Sequence, residues 1–176
     1  MEAESVFGRI QCGGQELEAL LSHYATAKNW IERSMFRAEL EWQQTRRICD
    51  VNESEFLREY AWVVLNSGFR ESVIRKHFSY ISLCFCDWES AAAISVNSHR
   101  CLATAEAVFR NQRKLKAIIK GAEYIHDAGY DNFWTTVRRD PLRTLQKLPF
   151  LAGITSRHLA KNLGFDVAKP DRHLLR

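Results

Sequence analysis

Apolar side chains recur along most of this chain at intervals of three and four residues, the period of one face of an α-helix. Leu17, Leu20, Leu21 and Tyr24 form such a stripe, and Ile31 extends it. From Phe36 to Ile48 the pattern is less regular, because Glu39 and Glu41 lie between Phe36, Leu40 and Trp42. Two carboxylates so placed could read a base in a pocket, but exposed helix charges explain them more simply.

Asn52-Glu53-Ser54-Glu55 has the spacing of a capping box, with Asn52 in place of the usual hydroxyl residue. It opens a predicted core helix carrying Phe56, Tyr60, Val63 and Val64. Gly68 marks a break, after which Val73, Ile74, His77, Phe78 and Ile81 define a second helix. Asp87 is positioned to cap a short helix with Trp88, Ala91 and Ile94, and Ser98 to cap another running through Leu102 and Ala105 to Val108. A basic turn, Arg110 to Lys114, leads into a helix that turns Leu115, Ile118, Ile119 and Ala122 inward and ends near Gly129. Phe133, Trp134 and Val137 continue the core, and Asp140-Pro141 suits the start of a helix over Leu142 to about Lys147. A turn from Leu148 to Gly153 then joins a last helix, with Leu159, Ala160 and Leu163 inward and Gly164 at its end. With few alternating β-branched runs and only three prolines, the expected class is all-α.

At 176 residues and 46% hydrophobic, the chain is long enough to bury one sizeable core, as one domain or as one domain in two helical lobes. Residues 1–14 hold no apolar run of signal-peptide or membrane-helix length, so a cytoplasmic monomer with no membrane contact is expected. Cys12, Cys49, Cys84, Cys86 and Cys101 form no CxxC pair and no metal-ligand ladder, and are expected to be reduced and mostly buried. Charge is uneven: Arg110 to Arg176 holds 14 Lys and Arg against 6 Asp and Glu, a net of +8, whereas Met1 to Phe109 nets −4. The C-terminal part is therefore the candidate polyanion face.

Within that basic part, the Leu148-to-Gly153 turn has a clear physical use. Amides at the start of the helix that follows have no carbonyl behind them, and with the helix dipole they can hold a phosphate oxygen. Thr155, Arg157 and Lys161 add polar or cationic contacts on the same side, which fix register without reading sequence. Upstream, the Gly68-Phe69-Arg70 elbow could present Phe69 or Arg70 to a DNA stack, where an apolar or planar group compensates for an extruded base. Phe69 in the core with Arg70 solvated fits the same spacing.

Leu148, Pro149, Leu151 and Thr155, the helix His158-Leu159-Ala160-Lys161-Asn162-Leu163-Gly164, and Lys169-Pro170-Asp171-Arg172-His173-Leu174 together resemble the helix-hairpin-helix DNA glycosylase superfamily. The segment from Val108 to Ile119 looks like its counterpart in the 3-methyladenine DNA glycosylase I branch. The resemblance covers the chain from about Trp62 onward and leaves residues 1–50 as an N-terminal helical segment without likeness, with 51–176 as the glycosylase-like core. It implies a two-lobed helical domain that excises an altered base flipped out of double-stranded DNA. Asp171 would be the catalytic carboxylate, stabilising the developing oxocarbenium sugar and positioning or deprotonating the attacking water. Backbone contact to DNA would come from Leu151, Ala152, Gly153, Thr155, Arg157, Lys161 and Lys169. Intercalating or base-pocket candidates are Gly68, Phe69, Arg70 and Trp62, with Trp30, Trp42, Tyr80 and Trp88 as further aromatic groups.

Departures from the family pattern shape the expectation. Ala152 stands where the hairpin glycine belongs, with Gly153 one place later. Ile154 occupies the position of the Schiff-base lysine of bifunctional members, so a monofunctional enzyme without lyase chemistry is implied. No iron-sulfur cysteine set and no assignable metal ligands are present, leaving a monovalent cation at the hairpin as the sole ion the resemblance suggests. Family members continue the helix that follows the aspartate, whereas this sequence ends at Arg176, so a shortened C-terminal end is expected. Two other classes stay open: a helix-hairpin-helix DNA-binding module without turnover, and a helical interaction domain unrelated to nucleic acid.

Overall fold

The structure, a computed structural model, describes residues 14–169. Among these residues the chain is helical with no strand, as the periodicity predicts. Contacts divide it into two compact units, Met1–Thr45 and Arg46–Arg176.

In the first unit, α1 (Gly14–Glu32) is followed by α2 (Arg37–Thr45). The α1 stripe is present but uncovered: Leu17, Leu20, Leu21 and Tyr24 are each more than half exposed, and α2 buries no side chain. Glu39 and Glu41 are exposed, and Glu41 pairs with Arg37 one turn away at 2.6 Å, so these carboxylates lie on a solvated helix face.

The second unit contains the core. After a 3-10 turn at Ile48–Asp50 come α3 (Glu53–Asn66) and α4 (Glu71–Cys84), then a 3-10 turn at Cys86–Trp88, α5 (Ala91–Val96), α6 (Ser98–Val108), α7 (Gln112–Ala128), α8 (Tyr130–Arg139), α9 (Pro141–Leu145) and α10 (Gly153–Asn162). Helices α3 and α7 form its centre: α3 buries Phe56, Leu57, Tyr60, Val63, Val64 and Leu65, and α7 packs on α3, α5, α6 and α8. Phe56 meets the edge of Phe133 at 5.1 Å between ring centroids and Trp134 at 6.0 Å, which ties α8 to the core. Gly121 lets α7 approach α3, since a Cβ there would overlap the fully buried Tyr60 ring.

Several helix ends follow the sequence. Asn52 Oδ1 accepts the Glu55 amide at 2.9 Å, Asp140 Oδ1 accepts that of Arg143 at 3.3 Å, and Gly129 ends α7 at φ +72°. Glu55, however, turns its carboxylate to Arg46 at 2.6 Å instead of closing a capping box. Asp87 is no cap: it lies in a run of three left-handed residues, Cys86, Asp87 and Trp88, and Ser90 caps α5 by accepting the Ala93 amide. Ser98 is the first residue of α6, with Asn97 as its N-cap. Nor are the cysteines mostly buried; among the described ones only Cys101 is, while Cys84 and Cys86 are partly covered and Cys49 is exposed. Val73, read from its spacing as a core position, is 40% exposed.

Candidate nucleic-acid interface

The turn between α9 and α10 is held by the chain on both sides of it. Leu148 and Leu151 are buried and anchor it to the core, so Leu151 can offer DNA only its backbone. Tyr60, at the centre of α3, directs its hydroxyl at two carbonyls, Pro149 O at 2.9 Å and Ala117 O at 3.0 Å, and shares its single proton between the hairpin and α7. Burial raises its pKa well above the ordinary value, so the phenol stays a neutral donor. Phe150 takes φ +65°, a left-handed conformation that a bulky residue keeps only when its surroundings enforce it.

Thr155 completes the turn. Its hydroxyl accepts the Ala152 amide at 2.7 Å and donates to Phe150 O at 2.9 Å. The Ala152 N–H is thereby engaged within the protein. The first helical amides of α10, those of Gly153, Ile154 and Thr155, face the end of the helix with no intrahelical acceptor. Ala152, Gly153 and Ile154 are exposed, and Arg157, Lys161 and Lys169 are half-buried.

A buried cation joins this hairpin to the elbow. Lys114, in the first turn of α7, is only 4% exposed, although the sequence groups it with the basic turn from Arg110. Its ammonium donates to the carbonyls of Val64, of Leu65 at 2.9 Å and of Ser67 at 2.6 Å, closing the C-terminal end of α3. A cation is favoured there because those carbonyls form the negative end of the helix. The same ammonium lies 5.2 Å from the centre of the Phe69 ring and 5.5 Å from that of Phe150. Burial lowers its pKa to about 8. With three carbonyls as partners, Lys114 is a structural cation rather than an available nucleophile.

Phe69 is 41% exposed and leans on Phe109 at 5.4 Å, so it is neither a core residue nor a freely projecting wedge. Gly68 and Arg70 are exposed on either side of it, Gly68 at φ +77°. Exposed Arg113 stacks on Phe150 at 5.2 Å, which places a cation beside the hairpin. Trp62 does not join this group: its ring meets the edge of Phe78 at 5.0 Å beneath Arg75 on α4, a packing role. Trp88 is fully buried, and Tyr80 is 64% exposed.

His158 on α10 reports how the remaining pieces converge. Its pKa falls to about 4, first through burial and then through the charges of Lys169 and Lys161, with Glu71 acting in the opposite sense. Glu71 of α4, Lys161 of α10 and Lys169 thus all act electrostatically on His158. Asp171 itself lies outside the described residues. The far end of α10 is secured by a polar network: Arg46 donates to Asn162 O at 3.1 Å and pairs with Glu55, while Asn162 donates to Glu59 at 2.9 Å. Burial raises the Glu59 pKa against the opposing effects of Asn162 and Arg46.

A cavity of about 340 Å³ is lined by Leu83, Cys84, Cys86, Arg100 and Cys101 among others, and none of the described sequence-predicted site residues lines it. Burial and the neighbouring Cys86 push the Cys101 thiol up to about 12, so it stays protonated. No group of His, Cys, Asp and Glu suited to a metal ion occurs among the described residues. Compared with protein-family models, with curated proteins and with solved structures, the chain finds no match.

Proposed function

We propose that this chain is a monofunctional DNA glycosylase, which hydrolyses the N-glycosidic bond of an altered base turned out of duplex DNA. The observation that carries the reading is the hairpin: a tightly tied turn presents the open amides of α10, with Arg157 and Lys161 on the same helix and the Phe69 elbow joined to it through Lys114. This arrangement suits a phosphate backbone, which needs fixed donors and nearby cations more than sequence-reading side chains. In the proposed reaction Asp171 faces the positive charge that develops on the sugar and takes a proton from the attacking water, while the base leaves with the bonding pair and is protonated. Two features favour the monofunctional form: Ile154 occupies the lyase position, and Lys114 is committed to carbonyls.

A DNA-binding module without turnover is the second reading, because the donors and cations of the hairpin suit a phosphate backbone whether or not a base is released. Incubating the protein with duplexes that each carry one altered base, and assaying for abasic sites, separates the two. Release of a base that Asp171→Asn abolishes while duplex binding persists supports the enzyme. Salt-sensitive binding with no base released from any duplex supports the module, and a borohydride-trapped adduct refutes the monofunctional form.

A further inference from the structure

The uncovered stripe of α1 has a regularity beyond amphipathicity. Leu17, Leu20, Tyr24, Ala27 and Ile31 are spaced by three, four, three and four residues, the a and d positions of successive heptads. All but Ile31 are exposed, and Ile31 is half-buried. Eight of the fifteen large apolar side chains exposed on the described surface belong to residues 14–45, a unit whose second helix buries nothing. A 19-residue helix is marginal alone in water, so its stability must come from a surface that covers this seam.

Charge selects the occupant. Glu16 and Glu18 make the start of α1 acidic, whereas Lys28, the terminal Glu32 and the following Arg33 leave its other end at a net of +1. A second α1 running antiparallel would set the acidic end of each helix against the basic end of the other and oppose the two helix dipoles; a parallel pair would bring like charges together. An anionic lipid surface fits less well, because residues 14–45 carry three Lys and Arg against five Glu. We propose that α1 is a homodimerisation helix, pairing antiparallel with the α1 of a second copy through the Leu17-to-Ile31 seam. This replaces the monomer expected from the sequence and is independent of any glycosylase activity.

Sedimentation equilibrium of the full chain tests it. The wild-type protein is expected to be dimeric and Leu20→Glu monomeric, with the second unit still unfolding cooperatively. Ser22→Glu, on the opposite face of α1, should leave the dimer intact. Glu16→Lys with Glu18→Lys should weaken association about tenfold, and adding Lys28→Glu with Arg33→Glu should restore it. A protein monomeric at every concentration reached, whether its stripe is covered by its own chain or by vesicles it binds, overturns the proposal. So does a dimer that survives Leu20→Glu, and failure of the charge swap to rescue overturns the antiparallel arrangement.

Discussion

The ammonium of Lys114 stands 2.9 Å from the carbonyl oxygen of Leu65, so a side chain from the start of α7 closes the end of α3, 49 residues upstream. The elbow that follows α3 is thus fixed by a residue that also touches the hairpin ring of Phe150. Lys114→Met should leave the Val64, Leu65 and Ser67 carbonyls without their donor and lower stability by about 3 kcal/mol. Urea unfolding measures the loss, and a change below about 1 kcal/mol would show that water replaces the ammonium without difficulty.

Tyr60 and Gly121 form a complementary pair. Gly121→Ala should force the Tyr60 ring out of place, costing about 2 kcal/mol, and Tyr60→Phe about 1 kcal/mol through the lost hydrogen bond. Because the hydroxyl reaches Pro149, both variants should also loosen the hairpin, seen as faster amide exchange at Leu151 and Ala152.

His158 gives stability a pH dependence whose sign can be worked out. Its folded pKa of about 4 lies below its ordinary value of 6.5, so between the two the unfolded chain binds the extra proton. Stability from this group is fully present above pH 6.5 and lost as the pH falls toward 4, by up to about 3 kcal/mol. Urea unfolding across this range should show the slope in the wild type and a smaller one in His158→Gln.

If the hairpin face carries DNA, Arg157→Ala, Lys161→Ala and Lys169→Ala should each weaken duplex binding at low salt. Each should also reduce the slope of log affinity against log salt by about one. Arg75, which pairs with Glu71 and covers Trp62, is the control: its alanine variant should leave that slope unchanged. Equal losses at all four positions would indicate diffuse electrostatics and not a clamp.

Local rules made much of the second unit legible. The Asn52 and Asp140 caps, the Gly129 and Gly164 stops and the inward faces of α3, α7 and α8 each follow from a few adjacent residues. What escaped depends on partners distant in sequence. Lys114 differs from its basic neighbours Arg113 and Lys116 in lying on the core-facing register of α7, but what its ammonium binds follows from where α3 ends. The left-handed run at Cys86, Asp87 and Trp88 is imposed by packing of Trp88 against Phe85 and its bond to Ser82, so Asp87 could not act as the cap its type suggests. Conversely, the periodicity of residues 17–31 does correspond to a helix, but periodicity says which face is apolar and not what covers it.

Gly164 ends α10 in a Schellman motif, with the Phe165 amide on Ala160 O and its own on Lys161 O, both at 3.0 Å. At φ +91° its backbone lies so near the chain at Arg46 to Ile48 that an added methyl would stand 3.2 Å from the Arg46 oxygen. The beginning of the second unit therefore touches the stretch just beyond α10. A circular permutant that joins residues 165–169 to Arg46 through a short linker and opens the chain at an exposed turn, such as that around Gly129, should keep the same core. In that permutant the hairpin would lie close to the new N-terminus instead of close to the C-terminal end.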